Sequence, residues 1–205
     1  MRRGKAVTET STLRTPTREG VLRAAAKVAG ILSQTPLLAT EIEGAPVWVK
    51  AECLQPIGAF KIRGAWHRLT DLSEEQRANG VVGVSSGNHA QGVAWAASRL
   101  GIAATVVMPS DAPSVKLDRT RQMGAEVVLY DRYAEDRDEI AEALVIERGA
   151  TLVHAYADPW VIEGQGSSGI EIAAQLGAEP TRIVTPCGGG GLTAGLALAC
   201  PGAEI

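Results

Sequence analysis

From residue 71 to residue 155 the apolar positions follow two alternating patterns. Short runs dominated by Val, Ile and Leu, at 81–84, 104–108, 126–130 and 151–153, predict β-strands. Between them, at 88–100, 113–123 and 134–148, apolar residues recur at helical spacing, and each stretch closes on a glycine: Gly101, Gly124 or Gly149. A strand that is apolar along its whole length is buried on both faces, so these strands predict a parallel sheet with helices on either side. The fold class expected is α/β with three layers.

The flanking segments carry the same signals. Residues 19–29 predict a helix closed by Gly30, Thr35-Pro36 opens an extended segment, and residues 46–50 predict a short strand. A helix is expected from the stretch around Lys61 through Leu69, stopping before Ser73. Asp158-Pro159 is an N-cap followed by a first-turn proline, opening a helix that runs to Leu176 and closes on Gly177. Gly164, Gly166 and Gly169 lie inside that helix and cost about 1 kcal/mol each relative to alanine, so a neighbour must pack closely there. Residues 182–185 predict a strand, 192–199 a helix and 203–205 a last strand.

Composition narrows the function classes. The 205 residues have a net charge of -3 and only 4% aromatics, which argues against a nucleic-acid surface or a base-stacking platform. No apolar run is long enough to span a bilayer, so no membrane partner is expected. Cys53, Cys187 and Cys200 are too few and too uneven for a disulfide framework, which fits reduced thiols and a cytoplasmic location. The first 18 residues hold Arg2, Arg3, Lys5, Arg14 and Arg18 against Glu9 alone. They are expected to form a disordered tail, with an organelle transit peptide as the alternative.

Three stretches carry candidate chemistry. The first, Pro56 to Ala65, sets Lys61 beside Phe60, with Gly58 and Ala59 leaving room for a flat ring. Lysine forms Schiff bases with carbonyls, although the same stretch also suits a plain helix start. The second is Ser85-Ser86-Gly87-Asn88-His89, between a predicted strand and a helix, where α/β sheets bind ligands and free helix N–H groups favour an anion. Ser and Asn are also ordinary caps, and His89 taken alone reads as a packing or capping residue. The third is Gly188-Gly189-Gly190-Gly191, whose bare backbone suits a phosphate. Gly189-x-Gly191-x-x-Ala194 also matches a dinucleotide fingerprint. That reading lacks its acidic residue about 20 positions on, because Glu204 comes too early.

In this order and spacing the three stretches resemble the fold-type II pyridoxal phosphate (PLP) enzymes, most closely the serine/threonine dehydratase (threonine ammonia-lyase) and serine racemase group, which share a tryptophan synthase β-subunit-like fold. The resemblance covers the chain from about Glu19 onward. It implies that Lys61 carries PLP and moves the substrate Cα proton, that Phe60 lies beside the cofactor ring, and that Asn88 bonds its phenolic oxygen. Gly188, Gly189, Gly190 and Gly191, with Leu192, would bind the phosphate. Ser85, Ser86, Gly87, Asn88 and His89 would receive the substrate carboxylate. Ser86 would also be catalytic in a racemase, as proton donor on the face opposite Lys61. The implied domains are a large PLP-anchoring one, residues 1–70 and 156–205 with its C-terminal part missing, and a small one, residues 71–155. The implied reaction is dehydration and deamination of serine, threonine or 3-hydroxyaspartate to a 2-oxo acid and ammonia. The alternatives are racemisation and a fragment or pseudoenzyme that only binds cofactor or partner. A homodimer is implied for the complete protein, and the ligands of any divalent cation would lie beyond Ile205. One departure is local: the family's Thr-Gly-Ser-Phe-Lys is Ile57-Gly58-Ala59-Phe60-Lys61 here, with two hydroxyls lost.

Overall fold

The computed structural model describes residues 14–205. Its centre is a four-stranded parallel sheet of β3 (Val81–Val84), β4 (Ala104–Pro109), β5 (Glu126–Tyr130) and β6 (Thr151–Val153), in the order β5-β4-β3-β6. Alternate residues face opposite layers. Val81, Val106, Met108 and Val153 join one core with α2 (Lys61–Thr70), α4 (Asn88–Leu100) and α5 (Ser114–Gln122). Val82, Val107 and Tyr130 join a second core with α6 (Arg137–Arg148). The three layers expected between residues 71 and 155 are present, because strands apolar on both faces gain a covering helix on each.

The preceding segment contributes α1 (Arg18–Ala29) and the antiparallel hairpin β1 (Leu37–Ile42) and β2 (Ala45–Lys50). The hairpin turns at Glu43 and Gly44, both with positive φ. A short helix not expected from the apolar pattern, α3 (Glu74–Asn79), starts at Ser73 with a reciprocal Ser73–Gln76 capping box. Helix α6 begins at Arg137 rather than 134, because the Asp136 side chain caps it.

Helix α7 (Pro159–Leu176) packs against α1, α2 and α8 (Gly191–Ala199), and its glycines are the points of closest approach. A Cβ on Gly164 would lie 2.5 Å from the Gly64 Cα in α2, one on Gly166 2.5 Å from the Gly195 carbonyl in α8, and one on Gly169 2.6 Å from the Ala199 Cβ. The helix gives up about 3 kcal/mol of intrinsic propensity for backbone contact with its neighbours.

Two expectations change. Residues 182–185 and 203–205 form no strands, only a single parallel bridge between Arg182 and Glu204. Val184 is 93% exposed, and with no further strand alongside, two short parallel segments cannot build a ladder. The parallel sheet among the described residues is therefore the four-stranded one alone. The other change concerns the tail. Residues 1–13 lie outside the described residues, but Arg14 is ordered: its Nη2 donates to both oxygens of the buried Glu163 carboxylate, at 2.9 and 2.8 Å. The Thr17 N–H adds a third bond to Glu163, at 2.9 Å.

Candidate active site

Lys61 opens α2, directly after Phe60, and a positive-φ Gly58 turns the chain into the helix. Its ammonium is half-buried and donates to the Ala155 carbonyl at 2.7 Å, 5.4 Å from the centre of the Phe60 ring. Burial holds its pKa below the usual lysine range, so more of the amine is neutral and nucleophilic at a given pH. Helix α2 is clamped from behind by Arg63, whose fully buried guanidinium bonds Glu52 twice, both at 2.7 Å, and Glu171 twice, at 2.7 and 2.8 Å.

Residues Ser85 to His89 join the end of β3 to the start of α4. The Ser85 N–H donates to the Val107 carbonyl at 3.2 Å, and the Ser85 hydroxyl accepts from the Gly87 N–H at 3.1 Å. Ser86 and Asn88 are exposed, and Gly87 caps α4 without a side-chain acceptor, which leaves first-turn N–H groups free for an anion. The ammonium of Lys116 comes within 3.3 Å of where a Gly87 Cβ would stand. His89 turns inward. It is 2% exposed, its Nε2 donates to the Val153 carbonyl at 2.8 Å, and burial pushes its pKa down to about 4.

The glycine loop enters α8 through Gly190, whose φ is +84°, and no side chain caps that helix. The four glycines are not equivalent. A Cβ on Gly189 would overlap the Tyr156 ring, and one on Gly191 would lie 3.0 Å from the Tyr156 Cα and carbonyl. At Gly188 and Gly190 no heavy atom comes within 4 Å of the Cβ position, so that side of the loop is open. In the first turn of α8 the Thr193 hydroxyl is buried without a hydrogen-bond partner. Leu192, beside it, is half-buried.

The segment 154–157 ties these pieces together, and apolar patterning did not single it out. Ala155 accepts from Lys61, and Tyr156 packs on the glycine loop. His154 accepts from the Tyr156 and Ala157 N–H groups and meets the Tyr156 ring edge-on at 4.5 Å. The available signal was position, just past the C-terminal end of a parallel strand. Ser85, Ser86, His154, Ala155 and Tyr156 also line a cavity of about 1250 Å³ that extends to Arg68, Arg137 and Trp160; Lys61 and the glycines are not part of its wall. Among the described residues no three His, Cys, Asp or Glu side chains gather into a metal site, no helix is long and apolar enough to cross a membrane, and the three cysteines are unpaired.

The family described as "Pyridoxal-phosphate dependent enzyme" matches residues 28–201. An L-threo-3-hydroxyaspartate ammonia-lyase of Saccharomyces cerevisiae is 41% identical over 198 residues, covering 93% of this chain and 60% of the relative. An L-threonine ammonia-lyase of Thermotoga maritima is 46% identical over 160 residues, covering 78% of this chain and 40% of the relative. The solved structure of maize serine racemase superposes with a TM-score of 0.86 at 35% identity, over 91% of this chain and 58% of the racemase. The chain thus spans less than two thirds of the length of these relatives.

Proposed function

The chain belongs to the pyridoxal-phosphate dependent enzymes, and we propose that the full-length protein is an ammonia-lyase that dehydrates and deaminates a hydroxy amino acid, with Lys61 as its cofactor lysine. The observation that carries this reading is the setting of Lys61. It is a half-buried amine with a depressed pKa, bonded to Ala155, whose next residue packs on a glycine loop at a helix start. The residues fit the cofactor. The loop is open at Gly188 and Gly190, α8 offers uncapped N–H groups, and the Thr193 hydroxyl beside them is buried and unpartnered. In this reading Gly188, Gly189, Gly190, Gly191 and Leu192 hold the phosphate, Phe60 flanks the ring, and Asn88 bonds the phenolic oxygen.

Bound pyridoxal phosphate supplies an electron sink for negative charge at the substrate Cα. This chain supplies the rest. The Lys61 amine, whose pKa burial lowers, takes the Cα proton. Ser85, Ser86, Gly87 and Asn88, with the free N–H groups of α4, hold the substrate carboxylate. Serine, threonine and 3-hydroxyaspartate all present the required β-hydroxyl, and the products are a 2-oxo acid and ammonia. Racemisation is a second reading, favoured by one observation: the Ser86 hydroxyl is exposed in the loop between β3 and α4 that is read as the carboxylate site, and exchange at Cα needs a second proton donor there. Residues 71–155 are proposed as the small domain and the flanking segments as part of the large one, in a cytoplasmic homodimer.

The test uses the full-length protein. Incubation with pyridoxal phosphate, borohydride reduction and peptide mapping should place the adduct on Lys61, and L-serine, L-threonine or L-threo-3-hydroxyaspartate should release ammonia and a 2-oxo acid. An adduct on Lys50 or Lys116 would overturn the assignment, and an adduct without turnover would favour the pseudoenzyme.

A further inference from the structure

His89 has a connection that the proposed chemistry leaves unused. Its ring is buried, and its Nε2–H bonds the carbonyl of Val153, the last residue of β6. That bond fixes the tautomer: Nε2 carries the proton, and the buried Nδ1 has no partner. Directly beyond Val153 come the residues that touch the other two motifs. Ala155 accepts from Lys61, and Tyr156 backs Gly189 and Gly191. The hydrogen bond therefore joins the start of α4 to the segment that holds both the lysine and the glycine loop. Any buried imidazole must give its N–H an acceptor; what matters here is which one, because this carbonyl ends the strand that leads into the lysine and glycine-loop contacts, while a 2% exposed ring leaves little surface for substrate.

We infer that His89 is a positioning residue, a neutral strut that fixes the end of β6 and so keeps the Ala155 carbonyl against Lys61 and the Tyr156 ring against the glycine loop. The inference rests on the reading of Lys61 as the cofactor lysine, but its geometry exists without cofactor and is tested that way. In the cofactor-free full-length protein, Lys61 is acetylated at pH 7 with trace acetic anhydride, and peptide mass spectrometry gives its rate relative to Lys27, which lies on α1. His89→Phe keeps the ring and removes the donor. His89→Gln keeps an amide N–H at a similar height. Lys61 labelling should rise about five-fold in His89→Phe, the net worth of one neutral hydrogen bond, and return toward wild type in His89→Gln. Amide exchange at Tyr156 and Ala157 should rise in parallel. An unchanged Lys61 rate in a folded His89→Phe variant, or a His89→Gln variant that behaves like it, overturns the proposal. Should His89→Phe fail to fold, imidazole nitrogen NMR of the wild type decides: the Nε2–H tautomer, without titration between pH 5 and 8, is expected, and an Nδ1–H or titrating His89 overturns it. Failure of wild-type Lys61 to take up pyridoxal phosphate would sink the proposed function and leave these readouts intact.

Discussion

Replacing Gly189 by alanine separates two reasons for a glycine-rich loop. The added Cβ would come closer than 3.0 Å to Cγ, Cδ1 and Cδ2 of Tyr156, where an ordinary carbon contact is about 3.5–4.0 Å. The ring or the loop must therefore retreat by more than about 1 Å. Tyr156 is 41% exposed, so the ring can swing outward and take the wall of the loop with it. Overpacking of this kind costs about 1–3 kcal/mol in folding stability, and the same strain, reimposed when phosphate binding draws the relaxed loop back to its original shape, is a loss of about five- to 150-fold in pyridoxal phosphate affinity. Gly188→Ala meets no atom within 4 Å, so it should leave folding stability within about 0.5 kcal/mol of wild type. Any affinity it loses reports on the ligand alone. The assay is a cofactor titration followed by visible absorbance, on wild type, Gly188→Ala, Gly189→Ala, Tyr156→Ala and the Gly189→Ala/Tyr156→Ala double variant. In the Tyr156→Ala background the Gly189→Ala penalty should largely vanish. A penalty of equal size in both backgrounds would mean that the Cβ obstructs the phosphate directly, and the packing argument would be wrong.

Other predictions concern the clamp, the lysine and the loop. Arg63→Met leaves Glu52 and Glu171 facing each other with only Lys50 for charge compensation, and should cost about 3–5 kcal/mol in urea unfolding at pH 7. Burial works to raise the Glu52 pKa, but Arg63 overrides it and holds the carboxyl below its usual range. In the variant burial wins, so the folded pKa rises above the unfolded one and stability is lost as pH rises; the gap to wild type should narrow toward pH 4, and a gap independent of pH would refute the charge argument. The folded pKa of Lys61 lies below its unfolded value, so the unfolded chain binds more protons in that window and this group makes stability rise with pH. Cofactor capture by Lys61 should accordingly have its pH midpoint below the usual lysine value, and a midpoint at or above it would contradict the burial effect. In the full-length protein Ser86→Ala should reduce kcat for L- to D-serine exchange by roughly 10²–10⁴-fold, while ammonia release changes mainly in KM, through weaker carboxylate binding. An equal fall in kcat for both would refute the proton-donor role of Ser86.

Local pattern was enough to locate most elements. Strands β3, β5 and β6 coincide with their apolar runs, α7 runs between its expected Asp158 cap and Gly177, and α4 closes on the expected Gly101 but starts from Gly87 without the Ser or Asn cap that its sequence offered. Helix α3 was legible in principle through Ser73 and Gln76, but it buries no residue, so periodicity could not reveal it. The segment at 182–185 has the composition of a strand, and composition cannot supply the neighbour that a ladder requires. At the candidate site, residue types and spacing marked Lys61, Ser86, Asn88 and the glycines, whereas His154, Ala155 and Tyr156 carry no local signature.

Residue order alone settled the α/β class and its parallel sheet, because a strand apolar on both faces has few other places to go. It also determined that Gly164, Gly166 and Gly169 must meet close neighbours, because a helix interior does not hold three glycines without compensation. Which neighbours these are came from the packed fold: the backbone of Gly64, the carbonyl of Gly195 and the Cβ of Ala199. It alone brought Lys61 to Ala155, 94 residues away, and His89 to Val153, 64 residues away. Those pairings depend on where whole helices and strands come to rest against one another, and local spacing holds no record of that.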